Sequence, residues 1–217
     1  MRINVFIANA TGLSRRAADR AVEDGRVSVN GAPAQPGQQV SDTDQITLGG
    51  QPLTASGPTA TIMLHKPAGY VVSRRGQGSR TVYDLLPAEH RGLKPVGRLD
   101  KDSSGLLLLT NDGQLAHALT HPRYRKTKSY EVELDKPLAD EDRQAIEKGV
   151  KLSDGLSKLQ IKHHDGQHFT VIMSEGRNRQ IRRTFAARGY TVTALHRTSF
   201  GDYQLPPRLK PGRWQAV

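Results

Sequence analysis

Apolar positions recur along this chain with two spacings, and the switches between them mark out its elements. The most apolar run is Leu106–Leu109, with Asp102-Ser103-Ser104-Gly105 before it and Asn111-Asp112-Gly113 after it. A run that short between turn-forming residues predicts a buried strand rather than a helix. Near the N-terminus, Ala17, Ala18, Ala21 and Val22 share one face of a helix predicted from about Arg15 to Asp24. Ser14 caps it and Gly25 ends it. Val27 and Val29 alternate ahead of Asn30-Gly31, a hairpin signal, and Asp44–Leu48 reads as a weaker extended stretch. Leu53–Ala60 is small, polar and turn-forming, the composition of a linker.

Past that stretch, Thr61–Lys66 predicts a strand stopped by Pro67, and Gln114–Leu119 a short helix. Ser129–Leu134 and His168–Met173 read as strands, and Asp140–Lys148 as a polar helix ended by Gly149. Arg177–Arg188 predicts a helix closed by Gly189, with Ile181 and Phe185 facing inward among Arg179, Arg182 and Arg183. Thr191–His196 and Arg213–Ala216 read as extended. Strands outnumber helices and do not alternate with them. That pattern favours an α+β fold with a mixed, largely antiparallel sheet flanked by helices over a doubly wound α/β fold. The expected organisation is a small domain at 1–52, a linker at 53–60 and a larger domain at 61–217.

Composition narrows the chemistry. The chain has 217 residues and no cysteine, which excludes disulfides, thiolate metal sites and cysteine nucleophiles. No apolar run is long enough to cross a bilayer, and no secretory leader is evident, so the cytoplasm is the simplest location. The formal charge is +11, all of it in residues 53–217, because residues 1–52 carry five arginines against five acidic residues. A polyanion is the natural partner for such a surface, and nucleic acid is the commonest polyanion. Lys66, Arg74, Arg75 and Arg80 surround a Gly-rich stretch that is predicted to be open and able to wrap a phosphate backbone.

Several site chemistries fail on spacing. Asp100-Lys101-Asp102-Ser103-Ser104-Gly105 opens like a calcium-binding loop, but its twelfth position is Asn111 rather than a bidentate Glu. Neither a nucleophile-elbow serine motif nor a P-loop is present. His163-His164-Asp165-Gly166-Gln167-His168 reads better as a hairpin turn between two strands than as a metal site. A lone reactive carboxylate, Asp100, remains, in a loop at the mouth of the predicted buried strand. Taken singly, Asp100 is a salt-bridge partner for Arg98 or Lys101, Tyr130 a core tyrosine, Arg182 a helix-face charge, and Asp102 and Asp112 turn formers.

Three motifs taken together change that reading. Gly97-Arg98-Leu99-Asp100-Lys101-Asp102-Ser103-Ser104-Gly105 with the leucine run, Lys128–Leu134, and Glu175-Gly176-Arg177-Asn178-Arg179-Gln180-Ile181-Arg182-Arg183 resemble the three motifs of the RsuA/RluB/RluE/RluF group of RNA pseudouridine synthases. The N-terminal segment, with Leu13-Ser14-Arg15-Arg16 and Gly25-Arg26-Val27-Ser28-Val29-Asn30-Gly31, resembles the S4 RNA-binding domain. The resemblance implies that a uridine base is cleaved from C1′ of its ribose, turned, and rejoined through C5, without cofactor or metal. It implies Asp100 as catalytic aspartate, Tyr130 as the ring stacked on the base, Arg182 as the cation paired with the aspartate, and Ile181 as an aliphatic contact to the base. Arg98, Asn178 and Arg179 fall in the same motifs and are expected to contact substrate. Arg15, Arg16 and Arg20 are expected on the S4 surface that meets RNA, with Lys66, Arg74 and Arg75 contributing from the larger domain. The expected partner is ribosomal RNA or a ribosome assembly intermediate, met by a monomer. The run from His121 to Leu134 and the run from Glu175 to Arg183 resemble more closely the members of the group that act on large-subunit rRNA. A non-catalytic RNA-binding protein that keeps the fold is the alternative.

Overall fold

A computed structural model describes residues 1–41, 43–54 and 59–217, the side chains of 163–165 excepted. It resolves into two compact units, Met1–Thr59 and Ala60–Val217.

The first unit contains α1 (Ile3–Thr11), α2 (Arg15–Glu23), β1 (Val27–Val29), β2 (Ala32–Pro33), β3 (Ile46–Leu48) and β4 (Gln51–Leu53). The predicted helix is α2: the Ser14 hydroxyl accepts from the Ala17 N–H at 3.1 Å, and Ala18, Ala21 and Val22 are buried. Asn30 and Gly31 both take positive φ, as a two-residue hairpin turn demands. Helix α1 was not expected, although Ile3, Phe6 and Ile7 stand at i, i+3 and i+4 and all are buried. Its first residue has no side-chain cap, so the usual start signal is missing. Leu53, read as the start of the linker, pairs with Ile46 in the four-stranded sheet. Residues 55–58, at the centre of that stretch, lie outside the described residues.

The second unit contains β5 (Thr61–Lys66), β6 (Lys94–Pro95), β7 (Ser104–Thr110), α3 (Gly113–Thr120), β8 (Lys128–Leu134), α4 (Asp140–Lys148), β9 (Val150–Leu152), β10 (Gly155–Ser157), β11 (Gln160–Asp165), β12 (His168–Met173), α5 (Gln180–Ala186), β13 (Val192–Phe200), β14 (Tyr203–Gln204) and β15 (Trp214–Ala216). The architecture is α+β. The main sheet runs β11-β12-β8-β13-β7-β5-β15, and of its pairs only β13 with β7 is parallel. Strands β11 and β12 form the hairpin expected around Gly166.

Strand β7 is central and covered on both faces. Leu107 and Leu109 enter one apolar cluster, and Leu106 and Leu108 enter another. That is why its sequence is continuously apolar instead of alternating. At its start, Gly105 lies against β13 so closely that a Cβ would stand 2.2 Å from the Arg197 carbonyl oxygen. Only glycine fits there, and it sets the height at which the preceding turn, Asp100–Ser103, leaves the sheet. Helix α5 begins later than predicted, at Gln180 instead of Arg177. Arg179 holds a left-handed φ of 45°, so no helix can run through it.

Candidate active site

The Asp100–Ser103 turn is held from below by a buried cation. Lys66 ends β5 and has no exposed surface. Its ammonium donates to the carbonyls of Ser103 at 2.6 Å, Asp100 at 3.0 Å, Pro67 at 3.1 Å and Lys101 at 3.4 Å. Burial pushes this ammonium down to about 8, against the opposing pull of Asp102 and Asp100. Lys66 was expected to reach a phosphate backbone, and this placement corrects that expectation. Its position at i+2 from Leu64 and i+4 from Ile62 put it on the buried face of the strand, and a buried ammonium cannot touch RNA.

The turn presents Asp100 at its rim, with the side chain 33% exposed. Across from it stands the start of α5. Arg179 Nη1 lies 3.8 Å from Asp100 Oδ2, and the same guanidinium hydrogen-bonds both oxygens of Asp102. Arg182 donates to the Asp102 carbonyl at 3.1 Å and to the Val192 carbonyl at 2.6 Å, and its Nε stands 3.4 Å from the Asp102 carboxylate. Among the described residues, Arg182 makes no ion pair with Asp100. The cation that reaches Asp100 is Arg179, and Arg182 joins the same turn through Asp102.

Tyr130 lies on β8 between Val171 of β12 and Arg197 of β13, and is 8% exposed. It shares one apolar cluster with Leu99 and Ile181, the chain neighbours of Asp100 and Arg182. That cluster is the main core of the unit, so it ties the three motifs to one core without setting Tyr130 against Asp100. Arg98 and Asn178 are exposed. The Asn178 carbonyl accepts from Arg183 Nε at 2.8 Å, which closes the turn before α5.

The start of α5 has its own scaffold, which the sequence reading did not assign. Gln180 is buried, accepts from the Arg177 N–H at 3.1 Å, and donates to Ser157 and to Glu175. Arg177 clamps the Asp154 and Leu156 carbonyls, each at 2.9 Å. The polar pattern gave no signal for this, because Arg177 and Gln180 look like solvated positions.

Of the other basic residues, Arg74 donates to the carbonyls of Arg91 and Gly92 at 3.1 Å and lies 4.7 Å from the Tyr83 ring centroid. Arg75 is exposed, as are Arg15, Arg16 and Arg20 in the first unit, and among the described residues none of these four side chains makes an ion pair. A hollow of about 310 Å³ lined by Glu131, Glu133, His168 and His196 contains none of the predicted site residues. No helix among the described residues is long and apolar enough to cross a membrane.

The braced turn thus carries two partly exposed carboxylates, Asp100 and Asp102, opposite Arg179 and Arg182 at the start of α5. Residues 60–187 match the RNA pseudouridylate synthase family, and residues 1–46 match the S4 domain. The chain belongs to the RNA pseudouridylate synthase family. It is 36% identical over its whole length to the ribosomal small subunit pseudouridine synthase A of Pasteurella multocida, covering 96% of that protein. It is 37% identical over 98% of its length to the ribosomal large subunit pseudouridine synthase B of Xanthomonas campestris, of which it spans 46%. A crystal structure of a pseudouridylate synthase superposes with a TM-score of 0.73 at 32% identity, covering all of this chain and 96% of that one.

Proposed function

We propose that the protein converts a uridine of ribosomal RNA to pseudouridine, with Asp100 as the reacting carboxylate. The observation that carries this reading is the pairing of a one-third-exposed Asp100 with Arg179 at 3.8 Å, on a turn whose carbonyls are tied to one buried ammonium. An ionised carboxylate is an oxygen nucleophile or base at neutral pH. A guanidinium beside it offsets its negative charge when a base covers it and water leaves. Arg179 stands outside hydrogen-bonding distance, which leaves the carboxylate's lone pairs free to react.

The reaction is an isomerisation. The bond from the base to C1′ breaks, the base turns, and a bond forms between C1′ and C5. The proton on C5 then leaves and the former glycosidic nitrogen gains one, so nothing else is consumed. Tyr130 offers an aromatic face to a base taken out of its stack, and Ile181 offers an aliphatic edge beside it. Asp100 is open to solvent, so the extruded nucleotide and its neighbours must themselves provide the cover that keeps water from the cleaved base. Arg98, Asn178 and Arg179 are exposed and would contact flanking nucleotides. Arg15, Arg16 and Arg20 would hold the RNA backbone from the S4 unit.

Enzymes named for the small and the large subunit stand at nearly equal identity to this chain, so identity alone favours neither rRNA. The test is Asp100→Asn in the purified full chain, assayed for release of the C5 hydrogen from rRNA transcripts. A loss of at least about a thousandfold is expected, since the amide can neither attack nor accept a proton at neutral pH. Retained turnover overturns the role of Asp100. RNA binding without turnover by the unsubstituted protein would leave a non-catalytic RNA-binding protein. Pseudouridine mapping in 16S and 23S rRNA from cells lacking the protein identifies the target.

A further inference from the structure

Asp102 engages more of the facing arginines than Asp100 does. Its two carboxylate oxygens accept from Arg179 Nη1 at 3.1 and 3.2 Å and from Nη2 at 3.3 Å. Arg182 Nε lies 3.4 Å from Oδ2, and Arg182 Nη2 donates to the Asp102 carbonyl at 3.1 Å. One residue of the turn thus engages two guanidiniums from the start of α5. We propose that Asp102 is a positioning residue that fixes Arg179 and Arg182 beside Asp100 and keeps Arg179 from closing onto the reacting oxygen. The inference rests on the reading of Asp100 given above.

Two physical points support it. An arginine side chain that is 44% exposed has many rotamers open to it, and a carboxylate that accepts two or more N–H bonds selects one of them. The Arg179 contacts among the described residues all go to Asp102 and Asp100, so Asp102 is the group that selects its rotamer. The second point is competition. Two acids and two arginines balance in charge. With the Asp102 charge removed, Asp100 becomes the remaining carboxylate within reach, and Arg179 moves from 3.8 Å to hydrogen-bonding distance. That occupies the lone pairs Asp100 must use. Arg182 is less dependent, because the Val192 and Asp102 carbonyls hold it independently of the Asp102 carboxylate.

The test uses the full chain and rRNA transcripts, with kcat and KM separated. Asp102→Asn is expected to lower kcat by about tenfold to a hundredfold, the loss typical of a misplaced group at a reacting centre, with KM changed by less than about threefold. Asp102→Glu is expected to recover most of the rate. The loss in Arg179→Gln combined with Asp102→Asn is expected to be smaller than the product of the two single losses, because part of the harm of Asp102→Asn is transmitted through Arg179. A merely structural role would give a lowered Tm and losses that multiply in the double variant. Wild-type kcat in Asp102→Asn, or multiplied losses, overturns the inference. Asp100→Asn is run beside them. If it turns over, the reading of Asp100 fails; if it is inactive while Asp102→Asn is normal, only the role of Asp102 fails.

Discussion

The two units use arginine in opposite ways. In Met1–Thr59, Arg15, Arg16 and Arg20 project from α2 into solvent, and among the described residues they make no ion pair although Asp19 and Glu23 share the helix. In Ala60–Val217, Arg74, Arg177, Arg182 and Arg183 spend their donors on carbonyls and carboxylates of their own domain. A guanidinium whose donors are free suits phosphate contacts whose strength falls with salt. One with its donors occupied cross-links turns that lack regular backbone pairing. Positive charge counted along a sequence cannot distinguish the two. The net-zero first unit therefore carries a free basic face, while much of the +11 of the second is built into its structure.

The largest test of this contrast is Lys66, a cation used wholly as a brace. Lys66→Met would leave four carbonyls around the turn without their donor, each buried acceptor costing about 1–3 kcal/mol. The expected outcome is a fall in kcat of more than about a hundredfold together with a lower Tm. The pH dependence sharpens the point. The neutral amine has two N–H donors for the four carbonyls, so kcat should decline as pH rises through about 8. Stability has the opposite sign. The folded value lies below the ordinary 10.5, so between about 8 and 10.5 the unfolded chain binds more protons, and this group's contribution to stability rises with pH over that window. An alkaline loss of kcat without a matching loss of Tm is expected. If the two fall together, Lys66 is not the cause.

How far these roles could be read from the sequence varied with the physics behind each. Leucines at 106–109 with turn residues on both sides can be little else than a covered strand. The Asn30-Gly31 turn and the Ser14 cap follow from backbone geometry and were equally legible. Helix α1 carried its apolar spacing but no cap. The start of α5 depends on the left-handed φ of Arg179, which no residue preference announces. The three motifs pointed to the Asp100 turn and to the start of α5, which face each other, but not to the pairing of acid with cation. Asp100 and Asp102 stand two apart on one turn, and an arginine side chain is long enough to reach either. Which it meets is decided by where α5 begins. The burial of Lys66 was legible in principle from the alternation Ile62, Leu64, Lys66, but its charge obscured it.

A middle-sized effect is expected from the free arginines of α2. Replacing Arg15, Arg16 and Arg20 together with Gln removes three phosphate contacts if the exposed face meets RNA. Affinity for rRNA transcripts should fall by roughly tenfold or more, and the slope of log affinity against log salt should shrink by about 2 to 3. Saturating kcat and Tm should stay within error, because these side chains hold nothing else. An unchanged salt slope would mean that the S4 surface meets RNA through other residues.

The smallest and most discriminating comparison lies within one stretch of chain. Arg74 and Arg75 are adjacent and alike in charge, and both were expected to touch RNA. Both are exposed, but Arg74 bridges the Arg91 and Gly92 carbonyls and lies over the Tyr83 ring, whereas among the described residues the Arg75 guanidinium makes no such bond. Arg74→Gln should cost about 1 kcal/mol, a drop of roughly 2–4 °C in Tm for a chain of this size, with a small change in salt slope. Arg75→Gln should leave Tm unchanged and reduce the slope by about 0.7 to 0.9. Calorimetry and salt-dependent binding on the two variants separate the brace from the contact. If both variants shift only the salt slope, the Arg74 contacts do not stabilise the fold in solution and the division between the two kinds of arginine fails within the catalytic unit.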